Sequence, residues 1–165
     1  MHALVRTSLI AATAASIAFF IPSPATGEIP VPSAFWGGTW QLNVAASRLG
    51  MPAGQRSETR IYVLDGIKLS VTVTGTDTSG KALQYSYAAA FDGKPYPMIG
   101  NPVGDSIALT LVNPRRANAT VRLGSTITAT ATSEVSADGK HLTLTRKSMP
   151  AGAAPTIDVL AFDKK

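Results

Sequence analysis

Hydrophobic and polar positions alternate with a period of two through most of the chain beyond residue 58, and the alternating runs are broken by Gly, Asn and Asp. In residues 68–74, Leu69, Val71 and Val73 fall on one side, with Ser70, Thr72 and Thr74 on the other. Residues 82–91 place Leu83, Tyr85, Tyr87, Ala89 and Phe91 on one face. Residues 106–112 alternate on Ile107, Leu109 and Leu111, and residues 141–148 on Leu142 and Leu144. Residues 126–135 set Thr126, Thr128, Thr130 and Thr132 outward against Ile127, Ala129 and Ala131, and 117–123 turns Ala119, Val121 and Leu123 inward. Residues 35–43, 59–64 and 156–162 complete a set of about nine strands. Asp65-Gly66, Asp92-Gly93 and Asp138-Gly139 are hairpin signals, and Asn113-Pro114 marks a turn. All 11 prolines lie outside these strands, as a continuous sheet requires.

Short sequential hairpins predict an all-β fold, a single up-and-down barrel, because Greek-key sandwiches need long crossings. The sandwich stays open as the alternative. One short helix is predicted after the first strand, over residues 43–50, with Asn43 as its cap and Gly50 in the closing position. Residues 44–56 are then either a rim over the barrel or a plain connection. Residues 92–104 read as a long, proline-stiffened loop. Its Tyr96 and Met98 either rim the mouth or plug one end.

Gly38-Thr39-Trp40 matches the G-x-W triplet that opens the first strand of lipocalins and their calycin relatives. The longer run G-T-W-Q-L-N resembles the start of small exported bacterial lipocalin-like domains, and the G-T-W-K-L opening of fatty-acid-binding proteins. The resemblance implies a lipocalin-like barrel with Trp40 at its base and a small molecule inside. The ending A-F-D-K is similar to the V-Y-E-K ending of fatty-acid-binding proteins. Aligning the two sets Leu160 and Phe162 where that family carries its carboxylate-binding Arg and Tyr. Neither side chain binds a carboxylate, so the departure favours a more neutral ligand, or none.

The amino terminus changes the domain plan. Arg6, an apolar run over residues 9–21 and the small residues Ser23 and Ala25 have the layout of a secretory signal peptide. At about 13 residues the run is shorter than the roughly 20 a spanning helix needs. The expected plan is a signal peptide over 1–25, an extended leader over 26–34 and a barrel domain over 35–165, located in the periplasm or medium. No membrane span is expected once the signal is removed. The chain has no cysteine, which leaves its core to hold it without disulfides and excludes a thiolate metal site. Its net charge of +5 is spread rather than clustered with aromatics. Weak contact with anionic envelope polymers or lipids is expected from it, and nucleic-acid binding is not.

No catalytic set emerges, and no cofactor or metal site is expected. His141 has outward parity, Asp65, Asp92 and Asp138 sit in turns, and only Asp158 has possible inward parity. Arg146 shares the inward parity of Leu142 and Leu144. Two readings follow, a guanidinium stacked on Trp40 as in lipocalin barrels, or one gripping a ligand carboxylate. Tyr85, Tyr87 and Phe91 offer aromatic walls, while Ala89, Ala119, Ala129, Ala131 and Ala161 leave room for a guest. The expected ligand-binding set is thus Tyr85, Tyr87, Phe91, Tyr96, Met98 and Arg146. The function expected is non-enzymatic binding of an apolar or weakly polar small molecule. The alternative is an envelope interaction or structural module whose core is filled.

Overall fold

A computed structural model describes residues 30–50 and 56–165. The signal-peptide expectation, most of the leader and residues 51–55 of the candidate rim lie outside the described residues. Ten strands follow one another: β1 (Gly38–Arg48), β2 (Ser57–Asp65), β3 (Lys68–Thr76), β4 (Ala82–Ala90) and β5 (Asp92–Ile99), then β6 (Ser106–Asn113), β7 (Arg116–Leu123), β8 (Thr126–Val135), β9 (His141–Ser148) and β10 (Thr156–Lys164). Each pairs antiparallel with the next, and β10 returns to β1, closing the sheet into an up-and-down barrel. Closure leaves no long free edge and sends alternate side chains to a common interior. Val71, Val73, Leu109, Leu142, Leu160 and Phe162 are buried there.

The tenth strand is β5, which lies within the stretch expected to be a loop. Its two prolines are compatible with pairing because of where their nitrogens point. Met98 donates its amide to the Asp105 carbonyl on the β6 side, so by alternation Pro95 and Pro97 turn their nitrogens toward β4. That ladder is short: β4 and β5 pair only through Ser86–Ile99 and Tyr87–Met98. A missing N–H costs nothing where no ladder bond is made.

The helix expected after the first strand does not form. β1 continues to Arg48 and bulges outward between Asn43, opposite Ala161, and Arg48, opposite Val159. Asn43 does make a cap-like bond, its Oδ1 accepting from the Ala46 amide at 3.1 Å. The Ser47 hydroxyl then accepts the Ala161 amide at 3.0 Å, supplying the ladder bond that the bulge removes. The helical turn precedes the strand instead, a 3₁₀ turn at Ala34–Trp36. A second bulge alters the parity of β8: Val121 pairs with Ala129 and Arg122 with Ile127, leaving Thr128 as the extra residue. Ile127 is exposed as a result, against the expected alternation. The first hairpin turns on Gly66 and Ile67, one residue later than the Asp-Gly signal, with Gly66 at φ +57°.

The two ends of the barrel differ. At one end the Ala34–Trp36 turn lies across the opening. The Ser33 amide and the Trp36 indole N–H both donate to the Pro114 carbonyl, at 2.7 and 2.9 Å. Trp40, fully buried, donates its indole N–H to the Trp36 carbonyl at 3.0 Å. Among the described residues, the connections at the opposite end, including residues 100–105 and 149–155, leave a mouth.

Candidate functional site

Between the sealed end and the mouth lies a cavity of about 500 Å³. Its existence follows from which residues oppose one another. Ala119 pairs with Ala131, Val121 with Ala129 and Ala117 with Ser133, so β7 and β8 line one side with small side chains. Across from them β2 and β4 contribute Tyr62, Tyr85 and Tyr87. Trp36 and Phe91 make the floor, with ring centroids 5.7 Å apart. Asn101, Pro102, Val103, Ser148 and Pro150 stand at the mouth.

Of the expected ligand-binding residues, Tyr85, Tyr87, Phe91, Met98 and Arg146 line this one cavity. Tyr96 does not. It shares the parity of Met98 and packs half-buried against the core, but its hydroxyl is drawn away from the cavity, donating to Asp92 Oδ2 at 3.0 Å. Ala129, Ala131 and Ala119 line the cavity as expected, whereas Ala89 is packed in the core. Ala161 sits between the buried Leu160 and Phe162 and so points outward. Thr128, expected outward, lines the cavity because of the β8 bulge.

Arg146 does not stack on Trp40. Its Nη2 lies 2.6 Å from Asp158 Oδ2, its register partner on β10. The other Asp158 oxygen accepts the Gly50 amide at 2.8 Å. Burial works to raise the Asp158 pKa, but the Gly50 N–H and the Arg146 guanidinium outweigh it and hold the carboxyl below its ordinary value. The cation over Trp40 is Lys164, whose Nζ lies 4.9 Å from the ring and donates to the Phe35 carbonyl at 3.0 Å.

The structure adds a charged wall that the alternation concealed. Glu58, Arg60 and Tyr62 of β2 turn inward, while Ile61 and Val63 face solvent. Glu58 accepts from Arg60 Nε at 2.6 Å and from Arg56 Nη2 at 2.9 Å. Arg60 also donates to the Tyr62 and Tyr85 hydroxyls at 3.4 and 3.3 Å, with its guanidinium 5.1 Å from the Phe162 ring centroid. Burial alone would raise the Glu58 pKa, yet the Arg60 and Arg56 guanidiniums hold it below the ordinary value. Burial acts to lower that of Arg60, and Glu58 reverses this, so both stay ionised. The shared parity of Glu58, Arg60 and Tyr62 was the available signal, masked by the more hydrophobic Ile61 and Val63.

No family model and no curated protein matches this chain. Solved structures similar to it include EF1p2_mFAP2b bound to DFHBI, 11% identical over 79% of this chain and 94% of the other, with a TM-score of 0.46. Lobster apocrustacyanin A1 is 14% identical over 79% of this chain and 61% of its own, with a TM-score of 0.43. The architecture stands on the strand order itself, which is lipocalin-like in being closed, antiparallel and up-and-down. It has ten strands where lipocalin barrels have eight.

His141 is exposed, with Nδ1 2.9 Å from Asp163 Oδ1. Among the described residues no three His, Asp or Glu side chains converge as a metal set.

Proposed function

We propose that this protein is an exported carrier that holds a small, largely apolar molecule inside its barrel. The observation that carries this reading is the 500 Å³ cavity, closed by Trp36 at one end and open at the other. Pockets of this size bind drug-sized molecules when mostly apolar with a few placed polar groups, and Leu109, Leu144, Phe91 and Ala131 beside three tyrosines meet that description. Export to the periplasm or medium is proposed on the signal-peptide pattern of residues 1–25. Binding rather than catalysis is favoured because both inward carboxylates, Glu58 and Asp158, are held ionised by arginines. Neither is poised to exchange a proton near neutral pH. Loose contact with anionic envelope polymers or lipids, from the positive balance, is a secondary expectation.

Native mass spectrometry of gently purified protein tests the carrier reading. A mass adduct that solvent extraction removes, with refilling by added lipophile, is the expected result. A bare mass that no lipophile alters would favour the structural-module alternative.

A further inference from the structure

The cavity wall formed by β2 and β4 offers hydrogen-bond donors whose acceptors are missing. Both nearby carboxylates are engaged, Glu58 by Arg60 and Arg56, and Asp158 by Arg146 and the Gly50 amide. What remains is phenolic. Tyr62 and Tyr85 each accept from Arg60, which leaves their own O–H protons unassigned. Tyr87 lines the cavity and makes no hydrogen bond with any described residue. Away from this wall, Arg146 Nε on β9 and Arg56 Nε are buried without an acceptor. The tyrosine hydroxyls are not among the buried unpartnered atoms and so open onto the cavity; a purely apolar guest would leave them unmatched, and a guest with an acceptor against them would not.

Two arginines, Arg60 and Arg146, and no carboxylate line the cavity, but each arginine is already paired with a carboxylate set back from it. Arg60 grips Glu58, and Arg146 grips Asp158. The unbalanced cation is Arg56, which binds the second Glu58 oxygen and is not among the residues lining the cavity. At the Tyr87 hydroxyl, burial first and then Tyr62 oppose ionisation. Arg60 acts the other way and is outweighed, so the proton stays on well above phenol's ordinary pKa. An anionic oxygen placed there meets the same opposition, and a neutral acceptor does not.

We propose that the guest is an uncharged, lipophilic molecule bearing a carbonyl-type oxygen, and that this oxygen sits against the hydroxyls of Tyr85 and Tyr87. The proposal rests on the carrier reading and adds the chemistry of the guest.

Displacement of bound Nile red by three compounds of equal chain length, 2-decanone, decane and decanoate, separates the possibilities. The ketone is expected to displace the dye at the lowest concentration, by about fivefold for each hydrogen bond gained over decane. The advantage is expected to vanish in the Tyr85→Phe/Tyr87→Phe double variant, with the dye still bound. The carbonyl stretch of the bound ketone should fall in wild type and return toward its free value in the variant. If the double variant does not fold, Tyr87→Phe alone gives the comparison, since that hydroxyl has no partner among the described residues. Equal displacement by ketone and decane, or first displacement by decanoate, overturns the proposal and leaves the carrier reading standing. Failure of the wild type to take up Nile red removes both.

Discussion

Glu58 has almost no solvent exposure and two arginines in ion-pair contact, so its carboxylate depends on them for nearly all its solvation. Removing one arginine leaves the buried carboxylate half compensated, whereas removing all three polar ends leaves no buried charge. Arg60→Met is therefore expected to cost about 3–5 kcal/mol in denaturant unfolding. Glu58→Leu and Arg56→Met added to it should recover most of that loss; equal or greater destabilisation in the triple variant would contradict this. The same pair sets a pH dependence. An unfolded glutamate titrates near about 4.3, and folded Glu58 lies lower, burial being outweighed by Arg60 and Arg56. The stabilisation is thus complete above the unfolded value and is lost as pH falls through the lower folded one. The stability gap between wild type and Glu58→Gln should be wide at pH 7 and narrower at about pH 3. A gap independent of pH would show that the ion pairs do not carry it.

Among the elements, those with one apolar and one polar face were legible from the chain. β3, with Leu69, Val71 and Val73 inward, and β9, with Leu142 and Leu144, are as the alternation indicates. β5 was not, because proline content speaks for a loop until one knows that Pro95 and Pro97 face a ladder that is hardly made. The β1 bulge was half legible: the capping role of Asn43 is real, but pairing with β10 overrides the short helix. Within the site, Tyr85, Tyr87 and Arg146 follow from parity, whereas Arg60 and Tyr62 do not stand out beside Ile61 and Val63. Trp36 falls inside the strand expected over 35–43, but β1 begins only at Gly38, and it is the turn at Ala34–Trp36 that brings the indole over the cavity. Gly100 ends β5 at φ +82°, and a β-carbon there would come within 2.7 Å of the Gln84 carbonyl oxygen. Gly100→Ala is expected to cost about 1–3 kcal/mol, read as a lowered Tm. An unchanged Tm would mean that the β4–β5 seam yields without cost.

At the scale of the whole molecule, the cavity is where packing was not completed. A chain selected only for stability would fill 500 Å³, since empty apolar volume forfeits contacts on every wall. Larger side chains on β7 and β8 are the direct route to filling it. Ala131→Trp projects an indole into the hollow from the wall opposite the tyrosines, and should leave the fold intact while excluding a guest. The decisive measurement is Nile red fluorescence titrated against wild type and Ala131→Trp, with circular dichroism confirming that both are folded. Saturable uptake of one dye per wild-type chain, with energy transfer from tryptophan and no uptake by the variant, is the expected result. Equal uptake by the two folded proteins would place the dye outside the barrel, and no uptake by either would mean that the interior admits no guest.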